Sequence, residues 1–249
     1  MLVFYFELSN IYMERQKNFQ EYILIFFLTF LAYNYLRKKK FTTNKQLNLF
    51  LAPIYLIGIV YTSISFFYLD LLNKFLIVFL TGLIFFYKNP YIMNSSLRKN
   101  PIIIILTISF SWSLLTCIFL NPNIAKLSKF EIFHFFERLF FLISVCLVFE
   151  IKDYEEDSSF EISFPNKYGI RITRIVAVFF IYVSLFFLFQ GFKDFSLYVI
   201  SILTVFLLTQ VSILTVKPKS HFYFTRLWIE ALPIVPFIIL KVNLIITFF

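Results

Sequence analysis

A succession of apolar stretches, each close to bilayer thickness and divided from the next by a short polar loop, constrains this chain most. Windows of about 19 residues pick out spans near 20–36, 48–68, 74–88, 101–120, 131–150, 172–190, 195–215 and 227–248. A weaker stretch covers 1–13 and is broken by Glu7. One spanning helix takes about 20 residues, so a chain of 249 residues has no room for a large soluble domain. With 60% apolar and only 15% charged residues, an ordinary soluble fold and a disordered chain are both excluded. The expected fold class is all-α, a polytopic transmembrane bundle of about nine helices forming a single domain over 1–249. The stretch 74–88 is short and calls for thinned lipid or burial in the bundle. The first stretch reads as a truncated span or an interfacial helix. No small-residue cleavage site follows it, so a removed signal peptide is not expected.

The loops set the orientation. Arg37, Lys38, Lys39, Lys40 and Lys45 crowd one loop, and every second loop after it is basic again. Those alternate loops hold fifteen Lys and Arg residues against six in the opposite set. Basic loops stay in the cytoplasm. The expectation is a multi-pass protein of the bacterial inner membrane, with the N-terminus and the 150–171 loop inside. The net charge of +9 is therefore a topology signal, and no nucleic-acid partner is expected.

Several chemistries are absent. Cys117 and Cys146 lie in apolar runs, no CxxC pair exists, and His134 and His221 are the only histidines. Both cysteines read as small side chains in helix packing. No Ser-His-Asp order, P-loop or GxGxxG is present, and four glycines cannot build a phosphate-cradling loop. The phenylalanines read as lipid-facing or helix-packing side chains. Asp70 and Asn73 read as outer loop residues, and Pro53, Pro233 and Pro236 as kinks within spans.

The acidic residues are unevenly placed. Six of the 14 fall between Glu150 and Glu161. Glu150, Asp153 and Asp157 follow an i, i+3, i+7 spacing, which is one face of a helix, and Glu161 continues the row. Like charges on one face repel, and a hard cation such as Mg²⁺ relieves that repulsion. The bland alternative is a solvated acidic loop. Within the sixth span, His134, Glu137 and Arg138 are costly in lipid and are expected to face the bundle interior. There Arg138 either binds an anionic group, orients an acidic residue, or makes a structural contact between helices.

The stretch FEIKDYEEDSSFEISFPNKYG, residues 149–169, resembles the second aspartate motif of the UbiA superfamily of intramembrane prenyltransferases. Asp153, Asp157, Pro165 and Gly169 match that motif. The likeness is greatest to a UbiA-like branch common in Bacteroidetes, where an Asp stands at the place of Glu150. FFERLFF at 135–141, SLRKNP at 96–101 and Trp112 are also similar to that branch. The family has nine helices, with acidic motifs after the second and sixth, and 150–169 follows the sixth span here. The first motif departs from the family: in AYNYLRKKK at 32–40, Asn34 fits, but Tyr35 and Lys38 stand where Asp is expected.

The resemblance implies transfer of a prenyl group from an allylic diphosphate to a lipophilic acceptor, next to membrane lipid. It implies Asp153 and Asp157 as catalytic Mg²⁺ ligands, assisted by Glu150 and Glu161. Asn34, Arg37 and Lys38 would hold the diphosphate, with Arg138 as a further anion-binding group. The lost first motif leaves a second class open: a non-catalytic UbiA-like protein that binds a lipid or a partner, or a small-solute transporter that depends on Glu137 and Arg138.

Overall fold

A computed structural model describes residues 7–8, 19–37, 45–88, 100–119, 127–154, 163–192, 197–218, 220 and 231–246. Among these residues the chain is all-helical, with no strand. The helices are α1 (Phe19–Arg37), α2 (Lys45–Tyr68), α3 (Leu71–Lys88), α4 (Pro101–Ser113), α5 (Lys129–Asp153), α6 (Phe164–Tyr168), α7 (Ile170–Gly191), α8 (Leu197–Thr215) and α9 (Ile234–Ile246). A π turn, Leu114–Ile118, prolongs α4.

Among the described residues these nine helices match the expected number, but the set is made up differently. Each of the eight clear spans falls on one helix. The ninth helix is the single turn α6, where the sequence suggested a plain connector. Of the stretch 1–13, residues 7 and 8 alone are described; both are helical and buried. Among the described residues, four helices are long and apolar enough to cross a membrane: Pro101–Ile118, Lys129–Asp153, Ile170–Gly191 and Leu197–Thr215. The protein is thus a helical membrane protein.

Local chemistry explains the helix starts. Asn100 caps α4 by accepting the Ile102 N–H at 3.1 Å, with Pro101 at the first helical position. At α5, Ser128 and Glu131 form a reciprocal capping box. Asp70 accepts the Asn73 N–H at 3.2 Å at the start of α3, so these two residues open a helix, and Asn73 is buried. Pro53 does lie inside α2. Residue 231 is helical, Leu232 and Pro233 form a turn, and α9 starts at Ile234 with Pro236 in its first turn, so the span near 227–248 is interrupted at these prolines, as the sequence suggested.

The most extensive packing joins α5 to α7. Thr173, Ala177, Ile181, Ser184 and Leu188 form the buried stripe of α7. Small residues there let the backbones approach, as lipid-embedded helices require. Beside them, Phe136, Phe140, Phe180 and Phe187 stack across the seam; the Phe140–Phe180 rings are 5.8 Å apart and tilted by 10°. The main core spans α4, α5, α7, α8 and α9 and takes in Leu8. A smaller core holds α1 and α3 against the end of α4 through Leu24, Ile25, Leu80, Leu115 and Phe119. Outward positions are apolar, as at Phe67, Phe75, Ile175 and Leu207, while Ser109, Ser113, Thr173, Ser184, Ser201 and Thr209 are buried. This polarity suits lipid as the surrounding solvent.

Candidate functional site

Two groups of polar residues stand apart, one at each end of α5. The first is at its C-terminal end. Glu150 and Asp153 are one turn apart in the last turns of the helix. Glu150 Oε2 accepts the Phe164 N–H at 3.1 Å, which ties α6 back onto α5. Asp153 Oδ1 accepts from Lys152 Nζ at 3.0 Å. Asp153 is 43% exposed, so this ion pair is screened and weak enough to yield to another cation. Ser163 caps α6 from the Asn166 N–H, and Pro165 is buried in its first turn. Gly169 then ends α6 and starts α7 with φ +85°. Arg174 reaches from α7 to the Val216 carbonyl beyond α8, at 2.6 Å.

Asp157 and Glu161, expected as further ligands, lie outside the described residues, as does Lys38. Arg37 closes α1, with its backbone alone described. Asn34 is buried, and its amide donates to the Phe30 carbonyl of its own helix at 2.8 Å. Among the described residues no three His, Cys, Asp or Glu side chains converge as a metal-ligand set. Mg²⁺ is usually held by one or two carboxylates together with phosphate oxygens and water. Glu150 and Asp153 meet that minimum.

The structure does not bring Arg138 to this end. It precedes Asp153 by fifteen residues on the same helix, a rise of about 22 Å. Arg138 belongs to the second group, deep in the bundle near the start of α5. Its Nε lies 3.8 Å from Glu137 Oε2, and the same oxygen lies 3.2 Å from His134 Nδ1. All three side chains are at most 2% exposed. From the π turn, the fully buried Cys117 thiol lies 3.7 Å from the Thr116 hydroxyl and near enough to His134 for the two to interact electrostatically. From α8, Tyr198 places its phenol beside Arg138. From α7, Ser184 Oγ donates to the Glu137 carbonyl at 2.6 Å. A narrow cleft beside Glu137 and Arg138, walled by Phe141, Phe206, Pro233 and Pro236, has room for about one water.

His134, Glu137 and Arg138 thus face the interior, as their cost in lipid required. Cys117 is buried, as a small side chain in helix packing should be, but its neighbours include the Thr116 hydroxyl as well as apolar groups. Its position in the chain carried a signal of its nearness to His134. Cys117 and His134 lie close to either side of the loop joining two antiparallel neighbours, which puts them at similar depth. The π turn does the rest. Phe119 N–H bonds the Leu114 carbonyl five residues back, at 2.9 Å, and Leu115 through Phe119 are all buried. Tyr198 carried no comparable signal, since it is the second residue of α8 and α8 has no charged residue to mark its inward face.

Comparison with protein families, with curated proteins and with solved structures finds no match to this chain.

Proposed function

We propose that the protein is a UbiA-like intramembrane prenyltransferase, working at the cytoplasmic face on an allylic diphosphate and a lipophilic acceptor. One observation carries this reading: the arrangement of the acidic end of α5. Two carboxylates one turn apart close a helix of spanning length, a short capped helix follows, and Gly169 turns the chain into the next span. These are the positions at which the 149–169 stretch resembles the UbiA motif.

In this reading Glu150 and Asp153, with Asp157 and Glu161, hold Mg²⁺ against the diphosphate. The metal supplies positive charge to the departing diphosphate. With Mg²⁺ bound, Asp153 would exchange its Lys152 partner for the metal, and the lysine would then be available to the diphosphate. Asn34, Arg37 and Lys38 take the place of the missing first acidic set in holding the diphosphate. Apolar helix faces take the isoprenoid tail and keep water from the allylic centre.

The test is binding of a prenyl diphosphate to the purified, detergent-solubilised protein with and without Mg²⁺. The expected result is Mg²⁺-dependent binding that Asp153→Asn and Asp157→Asn each weaken at least tenfold. A folded protein that binds no prenyl diphosphate, of short or long chain, sinks the reading. One observation favours the second class: Glu150 and Asp153 already have partners within the chain, an amide and a lysine. On that reading the acidic end is structural, and the fold binds lipid without transferring it.

A further inference from the structure

α7 and α8 pack side by side, and two polar contacts cross their outer seam. At the membrane edge, Arg174 Nη2 donates to the Val216 carbonyl at 2.6 Å. Deeper, Gln210 Nε2 donates to the Tyr182 hydroxyl at 3.4 Å. Arg174 and Tyr182 are eight residues apart on α7, about 12 Å along its axis. Between the two contacts the helical register places Val178 on α7 and Leu214 on α8, with Ile175 and Val211 alongside. Ile175, Val211 and Leu214 are more than half exposed. The seam is thus an apolar furrow that ends in positive charge.

We propose that this furrow binds one anionic phospholipid, with its phosphate against Arg171, Arg174 and Lys217 and an acyl chain along the apolar seam. The site is independent of the prenyl-transfer reading.

Arg174 carries the most weight. It is half-buried, and its Nε is covered and has no hydrogen-bond acceptor among the described residues. No carboxylate among them pairs with it: Glu150 holds the Phe164 amide and Asp153 holds Lys152. Arg174 is the fifth residue of α7, about 6 Å inside its start. A guanidinium at that depth is costly until an anion meets it. An arginine near a helix end ordinarily extends toward water. Here the Val216 carbonyl holds the group across the seam, so the anion has to come to it.

Two further cations share this end. Arg171 lies one turn nearer the edge on the same face of α7, and Lys217 follows the anchoring carbonyl; both are exposed. Ser220 fixes the backbone there: its Oγ accepts the Lys217 N–H at 2.8 Å and donates to the Lys217 carbonyl at 2.7 Å. Arginine forks match the oxygens of a phosphate. The furrow selects a lipid phosphate over a soluble one, because a soluble anion gives up its hydration for the cations alone. Basic sites between spans at headgroup level hold anionic lipids in this way.

The purified full-length protein would be titrated in detergent with phosphatidylglycerol or phosphatidylcholine and read by native mass spectrometry. The expected result is one retained phosphatidylglycerol, preferred at least tenfold over phosphatidylcholine. Lys217→Gln, which alters only an exposed side chain, should weaken binding about fivefold. Arg174→Gln should weaken it at least tenfold, with Arg174→Lys in between. Lys129→Gln, at the opposite end of the bundle, should change nothing. A diazirine on the acyl chain should label peptides holding residues 175–182 and 207–214 above all others. The preference and the labelling are read on the wild type, so an Arg174 variant that fails to fold does not blunt the test. No preference for phosphatidylglycerol, unchanged affinity in a folded Lys217→Gln protein, or labelling spread evenly over the helices overturns the proposal. Displacement of the lipid by millimolar inorganic diphosphate also overturns it, in favour of a site for soluble phosphates.

Discussion

At the level of single residues, the buried charges at the head of α5 are the sharpest case. Glu137 and Arg138 balance one another deep in the bundle, each at most 2% exposed. Removing one partner strands the other charge, which costs about 3–5 kcal/mol, whereas replacing both with apolar residues of similar size is close to neutral. Glu137→Leu and Arg138→Leu should each lower the apparent Tm of the purified protein sharply, and the double variant should recover most of the loss. Two independent, additive losses would show that the pair is not coupled. That these residues face inward was legible in the sequence, because lipid tolerates them nowhere else. Cys117 was not, because a thiol in an apolar run looks the same whether it lies near a phenyl ring or an imidazole.

Helices are governed by their ends. Gly169 has φ +85° and ψ 152°, a conformation that is essentially glycine's alone. A Cβ there would meet nothing within 4 Å, so crowding is not the obstacle and the backbone is. Gly169→Ala should therefore destabilise the protein by about 1–3 kcal/mol, read as a fall in apparent Tm. An unchanged Tm would mean that the junction between α6 and α7 relaxes freely. At the other end of α5, Ser128→Ala removes half of the capping box and should cost about 1 kcal/mol, with Ser128→Thr restoring most of it. Helix positions were readable from apolar runs and capping residues. The turn α6 was not, because five residues carry no period; it depends on Ser163, Pro165 and the amide that Glu150 holds.

For the molecule as a whole, the alternation of basic loops implies a defined sidedness. Asp70, between α2 and α3, and Lys217, after α8, belong to opposite sets and are both exposed. In inside-out and right-side-out vesicles, Asp70→Cys and Lys217→Cys should react with a membrane-impermeant maleimide from opposite faces, Lys217→Cys from the cytoplasmic one. Labelling of both from one face would overturn the span count. The bundle is also uneven. α4, α5, α7, α8 and α9 share one continuous core, while α1 and α3 attach through a smaller one at the end of α4. Composition does not reveal that division, because the helices of both cores are similarly apolar.

The sequence by itself determined that the chain is helical and membrane-embedded. Water and lipid impose those properties residue by residue, through hydropathy, helix length and the cost of bare backbone in hydrocarbon. Only the tertiary structure decided which polar residues meet. Helix packing sets the rotation and depth of each span, and a single π turn is enough to bring Cys117 near His134. The same packing buries Arg138 with Glu137 as its counter-charge, while the helix they share keeps it about 22 Å from Asp153.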